Sequence, residues 1–470
     1  MSKTYSKILV HGNFEILHIG HVRLFAYAKS LGRELIVGLC IEGLADEEIL
    51  RRLDYLRENP LVDEIVKFTD IQELVENVRP DALVKGREFA NQENVEEEMM
   101  KNVGGRVIFS SGENDISEST MMPKFSNQVS FLGESILGYL SRNRIEVAYI
   151  KETLAVFRKI RILVVGDLIL DRYVECVPIG LSQESPSIVA RPIRERDYLG
   201  GAGIIAAHCA ALGASASLLS VAGSDSEAEV MRKLCSEYKV DVNWVIDAKQ
   251  PTILKQRFMS GKQVLFRLNR FRQEGISKET VKEIESKFSN LIKRHDAVIF
   301  ADFSYGVLDE NNSQDLMRIA KASGLFTAAD SQTSSQIGNL SKFIGADLIT
   351  PTEHEARQEL RNQDGLVILS HKLMGKLRSK LIMLKLGADG VLLSGENLRS
   401  DYLPALNQEP VDVAGAGDSL LAISSLAITA GANLYVAGLL GSVAAAIQVS
   451  REGNLPITSS DVLEYLNQLS

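Results

Sequence analysis

Cysteine is scarce in this chain. Four residues, Cys40, Cys176, Cys209 and Cys235, are scattered through 470 positions, with no CxxC pair and no His/Cys spacing suited to zinc. The pattern excludes a disulfide scaffold and leads to an expectation of reduced thiols in the cytoplasm. An excess of positive charge is missing as well. A net charge of -9 works against nucleic-acid or membrane partners, although local basic clusters can still hold small phosphates. No apolar signal region follows the polar start Met1 to Lys7, and no repeat of solenoid period occurs. The most apolar late stretch, Leu434–Val449, is rich in Gly, Ala and Ser and short for a membrane span, so a buried helix is expected there. What remains is a 45% hydrophobic chain whose length calls for two or three domains.

The stretch around which the chain is organised is Val411-Asp412-Val413-Ala414-Gly415-Ala416-Gly417-Asp418-Ser419. Its small residues, Ala414, Gly415, Ala416 and Gly417, let backbone amides approach an anion closely, and a small-residue helical pattern begins beside them. Asp418 at the helix mouth is placed to take a proton from a hydroxyl while the amides hold phosphoryl charge. That is the minimum needed for a small-molecule kinase. The same residues also read as a Gly-rich turn capped by an aspartate.

From the N-terminus to about residue 123, apolar runs alternate with helical patterns, which predicts a parallel, Rossmann-like sheet. No GxGxxG follows the first strand. In its place stands His11-Gly12-Asn13-Phe14-Glu15-Ile16-Leu17-His18-Ile19-Gly20-His21. His18 and His21, three apart at a helix start, point the same way and can donate to phosphate oxygens as charge builds. Capping or core histidines are the alternative.

His18-Ile19-Gly20-His21 resembles the HxGH motif of the nucleotidyltransferase superfamily, and Arg79-Pro80-Asp81-Ala82-Leu83-Val84-Lys85-Gly86 resembles a strand end of its sugar-phosphate adenylyltransferases. Ile116-Ser117-Glu118-Ser119-Thr120 stands where those enzymes carry a phosphate-binding turn. The resemblance implies a nucleotide site drawn from Gly12, Phe14, His18, His21, Lys85 and Ser117, with the two histidines catalytic. Two departures stand out: the loop after the second strand is short, and Glu118 places a carboxylate where nucleotide phosphates would lie. The HIGH-type motif of class I tRNA synthetases is set aside, because Pro123-Lys124-Phe125-Ser126-Asn127 is a poor KMSKS loop.

A connector at about 124–148, with an amphipathic helix near Val129–Leu140, leads to a second domain at 149–470. There, buried strands, a small β flap and the Asp418 stretch predict an α/β sandwich with a lid. Gly166-Asp167, Asp171, Gly200-Gly201, Pro351-Thr352-Glu353-His354-Glu355 and Gly415 to Asp418 together resemble the ribokinase-like, phosphofructokinase-B sugar kinases. Ser182, Glu184-Ser185-Pro186, Arg267-Leu268-Asn269-Arg270 and Asp302 with Gly306-Val307-Leu308 look more narrowly like heptose-7-phosphate kinase. Bifunctional enzymes of ADP-heptose synthesis join that kinase to an HxGH adenylyltransferase, in the opposite order.

The resemblance implies transferase chemistry with ATP as substrate and Mg²⁺ as cofactor. Asp418 would be the base, and Ala414 to Gly417 the anion hole. Asp167, Asp171, Gly200, Gly201 and Arg267 would bind the sugar phosphate, and Glu355 would mark the metal region. It also implies a possible homodimer through the flap. Read alone, the less favoured alternatives are a turn aspartate for Asp171, a solvated helix residue for Glu355 and a surface cation for Arg267. Ile204, Thr352 and Ser331-Gln332 depart from the heptose-kinase pattern, which leaves room for another sugar. The other expectation is a working kinase beside an N-terminal domain reduced to a nucleotide-binding or assembly module.

Overall fold

Alternating apolar faces in the first hundred residues build a doubly wound sheet. The computed structural model describes residues 5–469 apart from 58, 91, 111–135, 183, 186, 262, 272–274, 333–337 and 408. Strands β1 (Tyr5–Gly12), β2 (Gly32–Cys40), β3 (Glu64–Phe68), β4 (Ala82–Gly86) and β5 (Arg106–Ser110) line up in the order β3-β2-β1-β4-β5. Every pair is parallel. Ile8 and Val10 face one helical layer with Phe25, Leu53 and Leu56, whereas Leu9 between them faces Leu74, Val75 and Met100. The strand period of two thus feeds two cores from one run of apolar residues.

The chain reverses direction across the sheet between β1 and β4, so a crevice opens at their carboxyl ends. His11 and Gly12 end one of these strands, and Lys85 and Gly86 end the other. The helix Val95–Asn102 has no counterpart in the sequence reading. Its sequence, VEEEMMKN, carries three adjacent glutamates in place of an apolar stripe. Helix Ile136–Arg142 overlaps the end of the helix expected near 129–140, and residues 129–135 lie outside the described residues.

The structure groups Met1–Asn143 with Leu360–Lys372 as one compact unit, and Arg144–Glu359 with Leu373–Ser470 as another. In the second unit the strands are β6 (Arg161–Gly166), β7 (Leu168–Leu181), β8 (Ile188–Gly201), β9 (Ser215–Ala222), β10 (Asp241–Ile246), β11 (Ile253–Ser260), β12 (Gln263–Arg270), β13 (Ala297–Asp302), β14 (Phe326–Ser331), β15 (Leu348–Ile349), β16 (Leu381–Lys385), β17 (Val391–Gly395) and β18 (Asp401–Leu403). Nine form a sheet in the order β10-β9-β6-β13-β14-β15-β16-β17-β18, and four form the flap, β12-β11-β7-β8.

The flap is much larger than the sequence suggests. β7 and β8 run for 14 residues each, because polar and apolar residues alternate past the short apolar cores that mark them in sequence. Helices Ala416–Thr429 and Leu434–Val449 are buried almost all round, as their lack of a polar face requires.

Candidate functional site

The site of the second unit begins with a backbone irregularity. Gly415 caps helix Ala416–Thr429 with φ +77°, a left-handed conformation that disfavours any side chain, and a Cβ there would fall on Asn454 Oδ1. The turn is braced on both sides. Asp412 Oδ1 accepts from the Ala414 amide at 3.0 Å, and Gln448 Nε2 donates to the Ala414 and Gly453 carbonyls at 3.3 and 2.9 Å. The amides of the first helical turn have no intrahelical acceptor, so Gly415 to Gly417 form a cradle of donors at a positive helix end, whereas the amide of Ala414, expected to join them, is taken by Asp412.

Asp418 lies in that first turn, 8% exposed, and among the described residues its carboxylate accepts no hydrogen bond. Burial raises its pKa to about 6, and the charge of Asp171 adds to the rise while Lys385 and Lys255 oppose it. A carboxylate poised just below neutral pH suits proton abstraction.

Asp171, on β7, lies within electrostatic reach. Its Oδ2 accepts from Asn454 Nδ2 at 3.0 Å, Arg257 approaches Oδ1 to 3.9 Å, and Oδ1 is buried with no hydrogen-bond partner. Burial raises its pKa, against the pull of Arg257 and Lys255. Gly200 is required by this aspartate, because a Cβ at 200 would fall on Asp171 Oδ2. Gly201 (φ +58°) starts helix Ala202–Ala211.

Asp167 stands apart from this group. It is wholly buried, and its oxygens accept the amides of Phe303 (2.9 Å), Tyr305 (3.1 Å) and Val307 (3.1 Å). The side chain therefore organises the 303–307 loop, and the sugar-binding expectation for it is corrected accordingly. Asp167→Ala would strand three buried donors. The expected loss is about 3 kcal/mol of stability or more, read as a lowered denaturation midpoint.

Arg267 is exposed on β12, opposite Arg257 in the antiparallel pair, and the half-buried Arg257 is the cation paired with Asp171. Glu355 is buried and caps its own helix, accepting the Thr352 amide at 2.7 Å while Thr352 Oγ1 accepts the Glu355 amide at 3.2 Å. Thr352 in place of asparagine thus makes a capping box. Among the described residues no group of three or more His, Cys, Asp or Glu has metal-holding geometry.

Four side chains escaped the sequence reading: Arg257, Asn454, Lys385 and Asp412 in its bracing role. Lys385 alone left a signal, as a lone charge closing the apolar strand LIMLK.

In the first unit the histidines of HxGH stack at 3.9 Å, with His18 capping helix Ile19–Leu31. The His18 amide donates to His21 Nδ1 over 3.4 Å, which leaves the proton of His21 on Nε2. Burial lowers His21 to about 4 and His18 well below its usual range, so both rings are neutral at pH 7. His18 Nδ1 is buried without a partner. Phe14 is buried beside them. It sits in the core against Phe25 and the edge of His21, with φ +42°, and Gly12 leaves room for its ring. Lys85 is bound to Glu96 at 2.7 Å and to Asn94 at 2.9 Å, and Glu96 also pairs with His11 at 3.3 Å. Ser117 and Glu118 lie outside the described residues.

Residues 159–459 match the family model of pfkB family carbohydrate kinases, and residues 9–122 match the cytidylyltransferase-like model. Curated relatives include the bifunctional protein HldE of Sulfurimonas denitrificans, 30% identical over 65% of this chain and 64% of that protein. The protein of the same name from Desulfatibacillum aliphaticivorans is 29% identical over 66% and 64%. The chain therefore spans about two-thirds or slightly less of these relatives' length, 64% in both.

Among solved structures, Escherichia coli phosphofructokinase-2 in complex with substrates and products superposes with a TM-score of 0.56 at 17% identity, covering 66% of this chain and 99% of that one. Thermotoga maritima ribokinase does so with 0.53 at 19%, covering 66% and 99%. These likenesses carry the fold. With a nucleotidyltransferase-type domain first and the kinase domain second, the chain belongs to the pfkB family of carbohydrate kinases.

Proposed function

We propose that the protein is a bifunctional transferase that makes a nucleotide-activated sugar. The second unit would phosphorylate a sugar phosphate, most closely heptose 7-phosphate, with ATP. The first would couple a sugar 1-phosphate to a nucleotide with release of pyrophosphate. The observation that carries the kinase half is Asp418, unpartnered and of raised pKa, beside the amide cradle and facing the charge of Asp171. HldE relatives that are named bifunctional support the pairing of activities.

In this reading the sugar hydroxyl loses its proton to Asp418 while its oxygen attacks the terminal phosphorus of ATP, the bond from that phosphorus to the β-phosphate oxygen breaks, and ADP leaves. The cradle amides take the charge on the transferred group. Asp171, steadied by Asn454 and Arg257, would hold neighbouring hydroxyls, and Arg257 and Arg267 would face the substrate's existing phosphate. Mg²⁺ is ordinarily held by one or two carboxylates together with substrate phosphates, a mode that asks for no three-residue cage. Glu355 is the residue that would hold it, and the ion would offset phosphate charge. We place the enzyme in the cytoplasm and expect a homodimer through the flap.

The pH profile follows from Asp418. It must be ionised to act, so kcat/KM should rise with pH through about 6 and level off above it. A pH–rate series on the phosphorylation reaction would show this, and a flat profile from pH 5 to 8 would remove Asp418 as base.

Mass spectrometry of sugar phosphates incubated with ATP and CTP tests both activities. Absence of any phosphorylated product would end the kinase reading. One observation favours a second reading for the first unit: Lys85 is already neutralised by Glu96. Calorimetry of the full chain with CTP, compared with the His18→Ala variant, would separate a live nucleotide site from a silent module.

A further inference from the structure

Lys385 is the last residue of β16, and β14, β15 and β16 are adjacent and parallel. The strand end is fixed by the Lys385 amide, which donates to the Pro351 carbonyl at 2.7 Å. From there the side chain crosses the carboxyl end of the short β15, a distance of roughly two strand spacings, and places Nζ 2.7 Å from Asp330 Oδ2. The lysine and aspartate side chains are 13% and 7% exposed. On its other side the ammonium lies against the cradle, because a Cβ built on Gly417 would sit 3.2 Å from Nζ.

Such a pair is a poor device for stability alone. Removing two charges from water is repaid only when most of their hydrogen-bonding capacity is used. Here Asp330 is the one hydrogen-bond acceptor of the ammonium among the described residues, although an ammonium carries three donors. Asp330 Oδ1 is buried with no partner. The charges of Asp330, Glu355 and Asp418 outweigh burial and keep Lys385 protonated. The structure thus holds a permanent cation, with donors to spare, against the floor of an anion cradle.

We infer that Lys385 is a phosphate ligand, and that its spare N–H groups bind an oxygen of the ATP phosphate seated on the amides of Gly415 to Gly417. The inference rests on the kinase reading above and adds a residue to it. A fixed ammonium beside the cradle supplies charge that would otherwise depend on the divalent ion, and a flexible lysine stem lets it follow the phosphoryl group during transfer.

The test is steady-state kinetics of the full chain with ATP and heptose 7-phosphate, alongside thermal unfolding, for Lys385→Met and Asp330→Asn. Loss of a charge-assisted bond predicts that Lys385→Met lowers kcat/KM for ATP by roughly tenfold to a hundredfold. Asp330→Asn releases the ammonium from its anchor and should keep the KM for ATP within about twofold of the wild type, whatever it does to the melting temperature. If Lys385 only staples β14 to β16, both variants lose stability and ATP affinity together, which would overturn the inference. Unchanged ATP kinetics in Lys385→Met would overturn it as well. Should Lys385→Met fail to fold, Lys385→Gln takes its place, and a tenfold rise in the ATP KM of Asp330→Asn would by itself be contrary. A wild type that transfers no phosphate to heptose 7-phosphate sinks the kinase reading first, a result distinct from any of these.

Discussion

Asp418→Asn is expected to slow ATP-dependent phosphorylation by roughly 10²–10⁴-fold, the usual worth of a positioned general base, while the KM for ATP changes little. The split follows from the geometry. The carboxylate accepts no hydrogen bond among the described residues, so the amide loses no partner and strains nothing. The cradle that would seat the phosphates is built from Gly415, Asp412 and Gln448 and does not use the Asp418 side chain. An amide at 418 also cannot take a proton near neutral pH, so the acidic limb near pH 6 should vanish with the activity. Quench-flow or coupled-assay rates for both proteins would decide it. A variant with unchanged kcat and a raised KM would mean that the residue binds without acting as base.

The second large effect is expected in the first unit. His18→Ala should reduce pyrophosphate release from a nucleoside triphosphate and a sugar 1-phosphate by about 10²–10³-fold, as removal of one preorganised donor does. Burial keeps the ring neutral, His21 stacks on it at 3.9 Å, and its Nδ1 is buried without a partner. A buried nitrogen without a protein partner is left available to a ligand oxygen, which is the role the prediction tests. His18 also stands at the helix start with its ring half-buried, so thermal unfolding must be followed in parallel. A lowered melting temperature with an undiminished rate would assign the residue to capping.

Much of the scaffold was legible because buried parallel strands announce themselves. The parallel sheet of the first unit follows the expected alternation of apolar runs and helical patterns, and the HxGH helix begins where its histidines suggest. Elements without an apolar signature were not legible. The edge strand Asp241–Ile246 mixes polar with apolar residues, and Val95–Asn102 offers the core only Met100, with Met99 partly buried beside it.

The sites divide in the same way. Asp418, Asp171 and Gly200 were named from motifs, and the structure brings them into one neighbourhood. Arg257 and Asn454 reach Asp171, and Lys385 reaches Asp330, from segments distant in sequence, so these contacts exist only in three dimensions. Asp167 and Phe14 show the converse. Each lies inside a motif associated with ligands, yet one fastens a loop and the other fills a core.

Asp412 joins two parts of the kinase unit that sequence places far apart. Its Oδ2 accepts the hydroxyl of Tyr173, in the flap strand β7, at 2.7 Å, while its Oδ1 secures the Ala414 amide of the cradle. Flap and amide cradle therefore share one hinge pin, and damage at Tyr173 would be felt at an address it never touches.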